Sequence, residues 1–201
     1  MISVSYVFDG GHFSTHQPPV YLQQLKNMEE HHPIISTLQQ LLNYEASKFT
    51  IAEIQLKRNL EEWIIQAGSL PLKTVLQKYF GFVQQHVQKL ETFMEEEKIN
   101  SLSIADRVMK AFVEDANEKM SCCADAEVKD ACLLACIQVI NHFKISIYGT
   151  AGAFAKELDL EKAAAVFHEM EINEKHIDDR LSQLAEYEIN KKARAPIVTK
   201  L

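Results

Sequence analysis

LNYEASKFTIAEIQLKRNLEEWIIQA, residues 42–67, spaces Leu42, Ala46, Phe49, Glu53, Leu56, Leu60, Trp63 and Ala67 four and three residues apart. Apolar residues at that spacing share one face of a helix with about 3.6 residues per turn, so the stretch predicts a long amphipathic helix. Its stripe is interrupted once, by a carboxylate. A second run repeats the arrangement with Phe167, Met170, Glu174, Ile177, Leu181 and Leu184. Glu53 and Glu174 are therefore expected to point at a core. A buried ionised carboxylate is costly unless a metal, a cation or strong hydrogen bonds compensate it, and facing helices of a bundle are where such a site is built.

Working outward, the first long helix is expected over 35–67, stopped by Gly68. The next covers 71–97, with Leu72, Leu76, Phe80, Val83, Val87, Leu90 and Met94 inside, Ser69 as its cap and Pro71 in its first turn. A shorter helix over 104–120 follows the Asn100-Ser101 break. The last two run over 126–158 and 160–193, the latter capped by Asp159 and ended before Pro196. The expected fold class is all-α: a four-helix bundle with a short extra helix between the second and third long helices. Residues 1–33, with Gly10, Gly11, Pro18, Pro19 and Pro33, carry no sustained period and read as an irregular arm. Residues 34–195 form the bundle and 196–201 a tail.

The 201-residue length suits one domain. A formal charge of -7 disfavours nucleic-acid and anionic-membrane partners, which need a basic surface. There is no uninterrupted 18-residue apolar run and no charged-then-apolar leader, so the expected location is cytoplasmic, with no membrane partner. Cys122, Cys123, Cys132 and Cys136 crowd into fifteen residues. Their spacing lacks paired C-x-x-C knuckles, so they read as packing residues rather than a zinc cage.

Dimetal carboxylate bundles supply a Glu from each of two helices and a Glu-x-x-His from each of the other two. Here the only Glu-x-x-His is Glu29 to His32, beside Pro33 in the irregular arm. His86 and His142 lie on long helices and offer imidazole, which suits iron or zinc, although ordinary surface or core-edge positions explain both. Tyr148 is placed to donate its hydroxyl to a core carboxylate or simply to pack. No phosphate-binding glycine loop is present.

The run Gln138-Val139-Ile140-Asn141-His142-Phe143-Lys144-Ile145-Ser146-Ile147-Tyr148-Gly149-Thr150, with Ala155, Leu158, Ala163, Ala164, Asn173-Glu174, Asp178 and Leu181, resembles the YciF/YciE-like family of ferritin-like stress proteins. Ala52-Glu53-Ile54-Gln55-Leu56 and Val87-Gln88-Lys89-Leu90-Glu91 add to the likeness. The resemblance implies a ferritin-like bundle, paired into homodimers, with dimetal ligands spread over four helices. It puts Glu53 and Glu174 at acidic ligand positions, with Asp178 one turn beyond. It also marks departures: Asn141 and Lys144 stand where that pattern has two Glu, and Gly81-Phe82 where it has another.

Two functions follow. In the first, Lys144 neutralises Glu53, Glu174 or Asp178, and the protein is a stress-related bundle that has lost its dimetal chemistry and needs no cofactor. In the second, Glu53, Glu174, Asp178 and one of His86 or His142 hold iron or manganese in an oxidase-like site. A third class is an interaction protein whose arm, with Phe8, Phe13 and Tyr21, packs across a partner subunit.

Overall fold

The computed structural model describes residues 34–99 and 106–194. The expected arm, the Asn100-Ser101 break and the tail lie outside them. Helix α1, Leu38–Gln66, starts where the Thr37 hydroxyl accepts the Gln40 N–H. Helix α2, Leu70–Glu96, is capped by Ser69, with Pro71 in the first turn as expected. Helix α3, Arg107–Ser121, begins at Asp106, whose carboxylate accepts the Met109 N–H at 2.7 Å. Helix α4, Ala126–Glu157, is capped in the same way by Asp125 through the Val128 N–H.

Helix α5, Glu161–Leu184, differs at its start. Leu160, not Asp159, is the N-cap, and no side chain caps it. Asp159 is instead left-handed, at φ 56°, a conformation Asp tolerates because its short polar side chain bonds locally. The residue closes the α4–α5 turn rather than opening the helix. The final helix is also not uniform: α5 widens into a π-helical turn, Ala185–Ile189, before the short helix α6, Asn190–Ala193.

Helices α1 and α2 form one hairpin and α4 and α5 the other, with α2 against α5 and α1 against α4; α3 leans on α4 and α1. The architecture is an all-α four-helix bundle with a short extra helix between the second and third long ones. Every residue of the α1 stripe read from the sequence is buried. On α2 the buried face is Leu72, Leu76, Tyr79, Val83, His86, Val87, Leu90 and Phe93. Phe80 and Met94 are only half-buried. Helix α4 is long and apolar enough, by length and composition alone, to cross a membrane. In the bundle its Leu133, Leu134, Ile137 and Ile140 fill the core.

The core has two apolar halves. One gathers Leu56, Leu60, Trp63, Leu72, Leu76, Val83, Ile137, Ile140 and Ile177. The other gathers Leu42, Phe49, Leu90, Phe93, Ala151, Phe167 and Met170. Between Phe49 and Leu56 lies Glu53, between Val83 and Leu90 lies His86, between Ile140 and Ala151 lies Lys144, and between Met170 and Ile177 lies Glu174. A polar layer thus crosses the bundle where each long helix gives up at least one apolar position.

Candidate metal centre occupied by a lysine

Each long helix contributes to this layer: Glu53 from α1, Tyr79 and His86 from α2, Asn141, Lys144 and Tyr148 from α4, and Glu174 from α5, all buried. The Lys144 ammonium lies 2.9 Å from Glu53 Oε1 and 2.6 Å from Glu174 Oε1. It also donates to the Tyr79 hydroxyl at 3.3 Å and lies 4.8 Å from that ring's centroid, a cation–π distance. Glu174 Oε2 accepts from Tyr79 Oη at 2.9 Å and from Asn141 Nδ2 at 2.6 Å. Glu53 Oε1 accepts from the Tyr148 hydroxyl, one of the two roles read for that tyrosine.

His86 completes the group. Its Nδ1 is 3.4 Å from both Glu53 Oε1 and Glu174 Oε1, and its ring meets Tyr148 edge-on. Three buried atoms, Glu53 Oε2, His86 Nδ1 and Asn141 Oδ1, have no hydrogen-bond partner. Glu174 Oε1 also lacks an aligned hydrogen bond, but its contact with Lys144 is ionic and close, and charge attraction does not depend on angle.

The two carboxylates differ in their acidity. Burial pushes Glu53 up, but the Lys144 charge, together with His86 and Tyr148, outweighs it and lowers the group from 4.5 to about 2. For Glu174 burial prevails, and the Glu53 charge adds to it, so its pKa rises despite Lys144. Burial opposes the Lys144 charge, yet Glu174 and Glu53 together raise its pKa above the ordinary value. Tyr79 and Tyr148 are pushed well above 10, first by burial and then by the carboxylates, so both are held as hydroxyl donors.

Among the described residues, Glu53, His86 and Glu174 are the one set of three ligand side chains whose donor atoms all lie within 4.8 Å of one another. A bridged two-ion centre draws on about six protein ligands. Here half that number converge, and an ammonium already sits between the two carboxylates. The residues do not fit a two-ion centre.

Asp178 is one turn from Glu174 but is not in the layer. It faces the bundle surface, 3.0 Å from Nε2 of the exposed His142. Of the sequence candidates, the structure brings together Glu53, Glu174, Lys144 and His86, and leaves Asp178 and His142 paired outside. Tyr79 and Asn141 hold Glu174 from the far side; Asn141 was marked in the sequence only as a departure from the family pattern, and Tyr79 lay off the stripe read for its helix.

A family profile described as a domain of unknown function, DUF892, matches residues 37–194. The chain is 28% identical over 162 residues to Protein YciF of Escherichia coli, covering 79% of this chain and 96% of that one. The crystal structure of the E. coli stress protein YciF superposes with a TM-score of 0.74 at 26% identity, over 78% of this chain and 99% of that one. YcfI from Rhodopseudomonas palustris shares the fold, with a TM-score of 0.70 at 24% identity over 74% of this chain and 94% of that one. With the profile spanning nearly all of the bundle and the likeness to YciF running along most of both chains, this chain belongs to the YciF-like, DUF892 family.

Proposed function

We propose that this protein is a stress-related bundle in which Lys144 takes the place of metal, and that it carries out no dimetal redox chemistry. The observation that supports this is the ammonium at 2.6 and 2.9 Å from the two core carboxylates. A fixed cation there repels a divalent ion and satisfies the charge that would attract one. The stress role rests on the likeness to a relative titled a stress protein. The proposal includes a cytoplasmic homodimer without nucleic-acid or membrane partners, for which the -7 charge is the support against nucleic acid.

A second reading has its own observation. Glu53, His86 and Glu174 present an O,N,O donor set, with His86 Nδ1 unpartnered, suited to iron or manganese in an unusual oxidase-like site. It requires Lys144 to leave the space between the carboxylates.

The deciding experiment is the metal content of untagged protein before and after anaerobic ferrous loading, for wild type and Lys144→Glu. The first reading expects almost no bound metal in wild type and uptake in the variant, where a carboxylate replaces the ammonium. Stoichiometric iron or manganese in wild type, lost in Glu53→Ala, overturns it in favour of the second.

A further inference from the structure

Between Asp130 and Lys156, helix α4 carries one charged side chain, Lys144, and that one is buried in the core layer. The exposed positions of the same stretch are Ala135, Val139, His142, Ser146, Thr150 and Ala153, four and three residues apart. They make one stripe along the outer face of the helix. The outer faces of the other long helices are charged: Arg58 and Glu61 on α1 and Lys175 and Asp179 on α5 are exposed, as are Lys78 and Glu91 on α2.

A helix that is apolar all round belongs in an interior. The most apolar stretch of α4 is less than half buried within the bundle, and Val139 is 54% exposed. A cavity of about 150 Å³ opens beside Val139, with Phe112 of α3 in its wall. On the inner side Phe112 meets Phe143 edge-on, while Cys132 and Cys136 pack against the core.

Charge, symmetry and side-chain size point to a second copy of this chain as the cover. Each copy carries a formal charge of -7, so two copies repel wherever ordinary surfaces meet and approach most easily through an uncharged face. The stripe also reads alike from both ends about Lys144: His142 and Ser146 lie two residues either side, Ala135 and Ala153 nine. Such a face can meet itself antiparallel across a two-fold axis. That orientation sets the positive end of each helix dipole beside the negative end of the other. Ala, Ser and Thr let helix axes approach to about 8 Å, the near end of the usual range. A lipid surface fits less well, because His142 is bound to Asp178 at 3.0 Å and Ser146 and Thr150 put hydroxyls in mid-stripe. The stripe measures roughly 37 Å by 10 Å, or about 400 Å² per copy, half of a standard interface, so the flanking ridges of α3 and α5 supply the rest.

We propose that this α4 face is where two copies of the chain pair, antiparallel, with the two-fold axis passing beside Lys144. The inference rests on the homodimer of the proposed function and names its surface. With the axis at Lys144, the two core layers lie level, one behind each helix.

Sedimentation velocity of the full-length chain tests it, with wild type expected at twice the monomer mass. Val139→Glu puts two like charges on the stripe and is expected to raise the dimer dissociation constant by at least about tenfold. Ile65→Glu, at a position 77% exposed on α1, is expected to leave it unchanged. Ala135→Glu and Ala153→Lys should each weaken pairing, and the double variant should restore it. Within one helix these positions are about 27 Å apart, so rescue comes only from across the axis. Far-ultraviolet circular dichroism is expected to match wild type throughout, because every substituted residue is exposed. A monomeric wild type overturns both the inference and the homodimer it rests on. A dimer that Val139→Glu leaves intact overturns the face alone, and weakened single variants without rescue in the double overturn the antiparallel assignment. Binding of a monomer to phosphatidylcholine vesicles, lost in Val139→Glu, gives the face to lipid and also overturns the proposal.

Discussion

Glu53 and Glu174 meet the same ammonium yet shift in opposite directions, and the difference has a measurable consequence. Glu53 falls from 4.5 to about 2 in the folded chain. Between those values the unfolded state binds more protons, so the contribution of Glu53 is fully present above pH 4.5 and lost as pH falls toward 2. Glu174, raised in the fold, acts with the opposite sign. Comparing wild type with Glu53→Gln reports the first effect together with the release of Glu174 from the Glu53 charge that raises it. The stability gap between them, from urea midpoints, is expected to be widest near neutral pH and to close as pH falls below 4.5; parallel curves would refute the assignment. Of the residues themselves, Glu53 and Glu174 were legible because a charge on an apolar stripe is conspicuous, and Lys144 because it stands where the resembled family's pattern has a carboxylate. Asp178 was misleading because four residues on a helix return about 40° off the starting direction, enough at a bundle edge to face His142 instead of the core. His86 was obscured by a competing stripe. Phe80, Val87 and Met94 made one apolar face on α2, while the buried line through Tyr79, His86 and Phe93 hid behind two polar-tipped residues.

At the level of elements, helix types and order could be read from periodicity, while two junctions could not. Gly68 was expected as a helix stop, a role glycine commonly fills through positive φ, yet no described glycine has one. Its role is close approach: a Cβ there would come 3.3 Å from Asp130 Oδ2 on α4. Asp130 accepts the N–H groups of Gly68 and Ser69 at 2.8 and 2.7 Å, tying the α1–α2 turn to a helix some sixty residues away. Such a partner is invisible to local sequence patterns. Hydrogen bonds to a charged group contribute about 1.5–3 kcal/mol each, less where water reaches the donors, so Asp130→Ala is expected to cost about 2–4 kcal/mol by chemical denaturation. A loss within about 0.5 kcal/mol, the range of an ordinary surface change, would remove Asp130 from this role. The π turn at Ala185–Ile189 has a similar long-range cause. An α-helical register after Leu181 brings Glu188 round to the core; widening the turn by one residue brings Ile189 there instead, 1% exposed.

For the molecule as a whole, the polar layer separates two apolar halves that periodicity alone would have joined. Its presence is not explained by stability. A buried ion pair roughly balances its desolvation cost, while removing one member leaves the other charge uncompensated and costs about 3–5 kcal/mol. Lys144→Met is therefore expected to lose stability on that scale at pH 7, with Glu53 and Glu174 left facing each other. Glu53→Gln and Glu174→Gln added to Lys144→Met remove every charge of the trio and keep oxygen acceptors for Tyr79, Tyr148 and Asn141. Chemical denaturation of this triple variant should return it to within about 1 kcal/mol of wild type, because the penalty in the single variant belongs to the unpaired charges and not to lost packing. A triple variant no more stable than Lys144→Met would place the cost in the lysine's own methylene packing against Tyr79 and Tyr148 and sink the charge argument. Recovery in the triple variant makes the ammonium a requirement of the carboxylates alone. The two Glu residues are then the element that needs a reason, and the reason lies in what the layer excludes or binds rather than in how firmly the bundle holds together.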